Sequence, residues 1–170
     1  MAKIDIRIAR TPEDIAAVQQ LCRDFVTWLL GAFPERRGAI QTYFEPVKWQ
    51  ETLADLPKMH ARPKGAMLLA RLNGEAVGCI MYHEMQPGIA EIKRLFVLTS
   101  ARGTGAGKRL VDAALAGIAD DGYATARLDT TVFLTAAIAL YKSAGFRVTD
   151  PFIDFPADVQ AQAVFMERAV

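Results

Sequence analysis

The residues best equipped for chemistry lie between positions 91 and 141. Glu91-Ile-Lys-Arg-Leu-Phe-Val97 is followed, after a short spacer, by Arg102-Gly-Thr-Gly-Ala-Gly-Lys108. An apolar run thus enters a glycine-rich turn that opens a helical pattern. Such a turn offers free backbone N–H groups and the positive end of a helix dipole to an anion. Gly103, Gly105 and Gly107 have no side chains, so a phosphate can approach the backbone closely. Arg102 and Lys108 add positive charge at the edges, and a pyrophosphate is the natural guest. Several readings compete. A nucleoside-triphosphate loop requires Gly, four residues, then Gly-Lys-Ser/Thr; position 102 is Arg, and Arg109 stands where the metal-holding hydroxyl belongs. A dinucleotide fingerprint requires G-x-G-x-x-G, whereas this loop reads G-x-G-x-G, although Asp129 lies near the spacing of a ribose-reading acid. The bland reading is a glycine-rich turn that holds nothing.

The elements that must position these residues follow from periodicity. Ile4, Ile6 and Ile8 alternate with polar residues and predict a first strand. Thr11-Pro12-Glu13-Asp14 reads as a helix start, with Thr as N-cap and Pro at the first helical position. Ile15, Val18, Cys22, Phe25 and Leu29 continue it at helical spacing to about Gly31. Residues 33–46 read as polar and irregular. A second helix is expected over about 46–58, with a loop from His60 to Gly65. Met67–Leu72 and Glu75–Tyr82 are apolar runs divided by Asn73-Gly74, a strong hairpin signal because both turn positions need positive φ. Gln86-Pro87-Gly88 marks another turn before a strand at Ile89–Leu98. A helix begins at Gly105, with Leu110, Val111, Ala114, Leu115 and Ile118 on one face, and Gly122 ends it. A strand at Ala126–Thr131, a helix from Leu134 to Ala144 closed by Gly145, and strands near Phe146–Phe152 and Ala163–Glu167 complete the chain. The connection from the strand at 89–98 to that at 126–131 is a βαβ crossover. The expected fold is α+β in three layers, one domain over 1–170, with helices flanking a mixed, mostly antiparallel twisted sheet of about seven strands. Adjacent Lys93 and Arg94 interrupt alternation within the central strand, and a β-bulge there would splay it from its neighbour.

Arg102-x-x-Gly105-x-Gly107 resembles the Q/R-x-x-G-x-G/A pyrophosphate loop of the GNAT N-acetyltransferases, which lies between that family's fourth strand and the next helix. Ala137-Ile-Ala-Leu-Tyr-Lys-Ser-Ala-Gly-Phe146 is similar to the family's A-x-x-L-Y-x-x-x-G-F segment. The resemblance spans roughly residues 66–148. It implies acetyl-CoA as co-substrate, with the backbone of Leu95, Phe96 and Val97 pairing with the pantetheine arm in the splay. Arg102, Gly103, Thr104, Gly105, Ala106, Gly107 and Lys108 would then hold the pyrophosphate. It also implies direct transfer of acetyl to an amine, with Tyr141 protonating the departing sulfur. Free amines are mostly protonated near neutrality, so a base is needed. Glu91 is the first candidate, with an ion pair to Lys93 or Arg94 as its competing role. Asp129 is the second and Glu84 a weaker third; His83 reads as a strand residue. A backbone N–H near Leu95–Val97 would serve the thioester oxygen. Many relatives carry Asn where this chain has Leu134, which leaves Thr135 as the cofactor contact on that helix. The family's acceptor site would fall at Phe33–Pro46 and Asp150–Gln162. There Arg36 and Arg37 could read a carboxylate and Asp154 and Asp158 an amine, with solvated surface charge as the alternative. The acceptor is expected to be a small-molecule amine. A protein N-terminus or lysine, or a non-catalytic acyl-CoA sensor, are the alternatives.

Composition bounds the rest. Lys and Arg number 20 against 19 Asp and Glu, for a net charge of +1, which argues against a nucleic-acid partner. Hydrophobic residues make up 52% of the 170, enough for a packed core without disulfides. Cys22 and Cys79 lack metal spacing and read as free, buried thiols of a reducing cytoplasm, with no His partner for covalent catalysis. No secretory leader and no membrane-spanning run is expected. The C-terminal strands offer a route to a homodimer.

Overall fold

The computed structural model describes residues 3–170, so Met1 and Ala2 of the expected 1–170 domain lie outside the described residues. Seven strands form one sheet in the order β1-β2-β3-β4-β5-β7-β6. The strands are β1 (Ile4–Ile8), β2 (Ala66–Leu72), β3 (Glu75–Gln86), β4 (Ile89–Val97), β5 (Thr125–Thr131), β6 (Arg147–Val148) and β7 (Ala163–Ala169). Every neighbouring pair is antiparallel except β4 and β5. The helices are α1 (Pro12–Ala32), α2 (Arg37–Tyr43), α3 (Pro46–Met59), α4 (Ala106–Asp120), α5 (Thr135–Ser143) and α6 (Ala157–Gln160).

Alternation along the central strands divides the core into two faces. Cys79 and Met81 of β3 join Val18, Leu21 and Cys22 of α1 and Leu53 and Leu56 of α3 on one side. Ile80 and Tyr82 join Leu110, Val111, Ala114 and Ile118 of α4 on the other, where Tyr141 of α5 also packs. Local signals set the helix ends. Thr11 Oγ1 accepts from Asp14 N at 3.1 Å, and Pro12 occupies the first helical position. The Glu45 carboxylate accepts from the N–H groups of Val47 and Lys48 at 3.2 and 3.0 Å and caps α3. Asn73 and Gly74, at φ 52 and 93, close the β2–β3 hairpin.

Two expectations need correction. Residues 33–46 are not irregular: a 3₁₀ turn (Pro34–Arg36) leads directly into α2. Seven residues with one buried anchor, Ile40, show no periodicity in sequence. The strand expected near Phe146–Phe152 shrinks to Arg147–Val148, because Pro151 has no N–H to extend the ladder. The short α6 had no sequence signal.

The bulge falls where the paired cations suggested. Cys79 faces Phe96 and Met81 faces Lys93, so two residues of β3 span three of β4. Arg94 absorbs the extra residue with φ 55, a left-handed conformation uncommon for a residue with a Cβ.

Candidate active site

The bulge has a consequence on the far edge of β4. That strand pairs with β5 only at Ile89–Glu91 against Thr125–Arg127. Beyond Glu91 the two strands part, and the β4 backbone from Ile92 to Val97 faces β5 without a ladder. Lys93 spans the opening: its ammonium lies 2.8 Å from Glu91 Oε1 and 3.0 Å from Asp129 Oδ1. Glu91 also meets His83 Nε2 at 3.1 Å. Burial alone would raise the Glu91 carboxyl, but the His83 hydrogen bond and the Lys93 charge outweigh it and hold the pKa below the usual value. Burial likewise would lower Lys93, and the charges of Asp129 and Glu91 hold it above its usual value. The network thus carries two carboxylates against one ammonium.

Tyr141 of α5 is 6% exposed. Burial, with a smaller contribution from the Asp129 charge, raises its pKa well above that of a free phenol. Its hydroxyl therefore stays protonated at neutral pH and can donate but not abstract a proton. The strand–helix–strand crossover delivers Asp129, and the following turn places α5 over the same opening.

The glycine loop is the N-terminus of α4. Gly105 is the N-cap at φ 86, and Gly103 sits at φ 80. No side chain of the described residues caps α4, so its first N–H groups remain available to an anion. Arg102 donates from Nε to Val97 O at 3.3 Å and lies 4.3 Å from the Trp28 ring centroid. Lys108 pairs with Asp112 at 2.5 Å.

Two cavities meet at the splay. One, of about 620 Å³, is lined by Leu95, Phe96, Val97, Arg102, Gly103, Gly105, Ala106, Gly107, Lys108 and Thr135, together with Trp28. Thr104 is absent from that lining; its hydroxyl donates to Ala101 O at 2.6 Å and shapes the turn. The other, of about 260 Å³, is mostly apolar and holds Lys93, Arg94, Asp129 and Tyr141. Phe25, Leu95, Phe133, Leu134 and Ala137 line both, so the two are continuous.

Several placements differ from the sequence expectations. Glu91 lines neither cavity and is held in its ion pairs. Glu84 pairs with Lys64 at 2.7 Å, outside the opening. His83 is a partner of Glu91 rather than a bystander. Arg37 and Asp154 are exposed, while Asp158 stands at the rim of the smaller cavity. Arg36 reaches Gln162 and stacks 4.4 Å from the Phe133 centroid, which ties the 3₁₀ turn to the β5–α5 junction and the start of β7. With Ile40 and Tyr43 of α2 and Phe44 at its C-cap, this contact roofs the smaller cavity. Phe133 and that roof were missed in sequence; the only signals were a lone aromatic before the α5 helix and an arginine pair. The two thiols belong to no sequence motif and were read singly, yet both lie in one core cluster beneath the bulge, where Cys79 Sγ donates to Arg94 O at 3.6 Å.

Known proteins of similar sequence and fold identify the family. The model of the acetyltransferase (GNAT) family matches residues 23–146, well over half of the chain. An uncharacterised N-acetyltransferase of Schizosaccharomyces pombe is 31% identical over 157 residues, covering 91% of this chain and 90% of its own. An IAA acetyltransferase of Azospirillum brasilense is 34% identical over 68% of this chain and 74% of its own. Among solved structures, the PaiA N-acetyltransferase of Thermoplasma acidophilum, in complex with coenzyme A, superposes with a TM-score of 0.73 at 19% identity, over 99% of both chains. The chain belongs to the acetyltransferase (GNAT) family.

Proposed function

We propose that this chain transfers an acetyl group from acetyl-CoA to a primary amine of a small molecule, by direct attack in a ternary complex. The observation that carries the reading is the junction of the two cavities at the β4–β5 splay, one floored by the glycine loop and the other holding Asp129 and Tyr141. The first suits coenzyme A: glycines at positive φ, an uncapped helix start and Arg102 for the pyrophosphate, and an unladdered β4 edge at Leu95–Val97 for the pantetheine amides. When bound, acetyl-CoA supplies an activated thioester. Thr135 and the N–H groups of Gly103 to Lys108 would hold its polar parts, and Leu95 would carry the thioester toward Asp129.

Asp129, directly or through water, is the group on the cavity wall that takes the ammonium proton. Glu91 backs it through Lys93. Tyr141 then donates to the departing sulfur, whose thiolate is a good leaving group near pKa 8.5. A backbone N–H at the bulge faces the oxygen on which charge develops. The volume of about 260 Å³ supports a small acceptor rather than a protein segment.

The test is release of free thiol from acetyl-CoA with a panel of small primary amines, beside an unstructured peptide bearing a free N-terminus and a lysine. Small amines are expected to gain one acetyl group by mass. Turnover of the peptide alone would transfer the reading to a protein acceptor, and binding of acetyl-CoA with no turnover at all would favour a sensor.

A further inference from the structure

Arg94 has no assigned task in this reaction, yet its position is costly. It is held at φ 55 in the bulge, and non-glycine residues held there cluster at functional sites. Arg94 is among the residues that line the smaller cavity and not among those of the larger one. Neighbouring Lys93 has two carboxylate partners. Arg94 has no ion pair among the described residues; its Nη1 is buried without a hydrogen-bond partner, and its guanidinium lies 5.5 Å from the Trp49 centroid. A buried guanidinium nitrogen without an acceptor is expensive unless a ligand supplies one.

We propose that Arg94 is a carboxylate-reading group of the acceptor cavity, so that the acceptor is an amino-acid-like molecule: a primary amine and a carboxylate on an apolar body. This rests on the small-amine reading above and narrows it. The charges match both ends. Asp129, in a network with one excess negative charge, suits the amine, and Arg94 offers the planar fork that suits a carboxylate. Phe25, Leu29, Ile40, Phe44 and Phe155 supply the apolar wall between them. Because Arg94 faces only the acceptor side, the phosphates of coenzyme A are not its partner. Arg36, the earlier candidate for this role, is engaged with Gln162 and Phe133.

The experiment compares L-phenylalanine and L-leucine with L-phenylalaninamide and 2-phenylethylamine, at saturating acetyl-CoA. The free acids are expected to exceed the amide and the decarboxylated amine in kcat/KM by about ten- to hundredfold, the range for a charge-assisted hydrogen bond. In Arg94→Gln that acid-to-amine ratio should collapse toward one, and in Arg94→Lys it should be intermediate. Both variants keep a long side chain at the same backbone position. A wild-type ratio near one, or a ratio unchanged in Arg94→Gln, overturns the proposal and leaves the acetyltransferase reading standing. Calorimetric binding of L-phenylalanine and its amide to the coenzyme A complex separates the two claims. Acid-selective binding that Arg94→Gln abolishes, with no turnover of any amine, supports the subsite and rejects the reaction. Absence of acid-selective binding overturns the subsite.

Discussion

Replacing Lys93 with Met tests whether the splay is held by charge. The substitution keeps the apolar stem and removes the ammonium that lies 2.8 Å from Glu91 and 3.0 Å from Asp129. At an effective permittivity of about 20, each attraction is worth about 6 kcal/mol gross, most of which offsets desolvation. Removing one partner of a buried pair costs about 3–5 kcal/mol. The Lys93 side chain is 26% exposed, so the lower end applies, about 3 kcal/mol at pH 8. The pH dependence carries the sharper signature. In the native protein Glu91 sits below its usual pKa, so its contribution is present above the unfolded value of about 4.3. In the variant only His83 still opposes burial, so Glu91 titrates higher than in the native protein. The folded variant therefore holds its proton to higher pH than the folded native protein, and the stability deficit grows as pH rises through that interval. Urea unfolding at pH 5 and pH 8 should therefore show a deficit that widens with pH, and adding Asp129→Asn should recover part of it. A deficit under about 1 kcal/mol at pH 8, or one that narrows with pH, would refute the reasoning.

Four further outcomes are expected. His60 is 3% exposed, and burial lowers its pKa to about 4. With an unfolded value near 6.5, the unfolded chain binds the extra proton between those limits, so about 3 kcal/mol is lost as pH falls from 6.5 to 4; denaturant curves of His60→Gln should lack that component. Tyr141→Phe should lower kcat about 10²-fold while leaving the KM for acetyl-CoA near wild type, since Tyr141 does not line the larger cavity. A Cβ at Gly78 would sit 2.9 Å from Phe96 O and 3.1 Å from Leu110 Cδ1, so Gly78→Ala should cost about 2 kcal/mol and lower Tm by roughly 4–8 °C in a melting curve. Acetyl-CoA and coenzyme A at 100 times their Kd should raise Tm by roughly 5–10 °C, and NAD and ATP should not.

The parts of the fold that were legible in sequence are those set by local rules. Asn73-Gly74, Thr11-Pro12 and the α4 stripe each state their geometry within a few residues, and the structure follows them. The bulge was legible because Lys93 and Arg94 cannot both fit strict alternation in a buried strand. What lay hidden depends on contacts distant in the chain. The Lys93 bridge joins two strands through a crossover, and the roof depends on Arg36 meeting Phe133 and Gln162, whose polar bond spans 126 positions. Sequence leaves Glu91 open between a base and an ion pair with Lys93 or Arg94, because a carboxylate on that strand suits either; packing pairs it with Lys93, adds His83 and keeps it off the cavity walls.

The central claim is that acetyl passes directly to the amine across the junction of the two cavities. Both thiols are buried, at 1% and 0% exposure for Cys22 and Cys79, and neither lines a cavity, which leaves no thiol on either wall for a covalent relay. Initial velocities over a matrix of acetyl-CoA and amine concentrations test this most directly. Intersecting reciprocal plots, with no acetyl group on the protein by mass spectrometry, are the predicted result. Parallel plots with an acetylated cysteine would contradict the account.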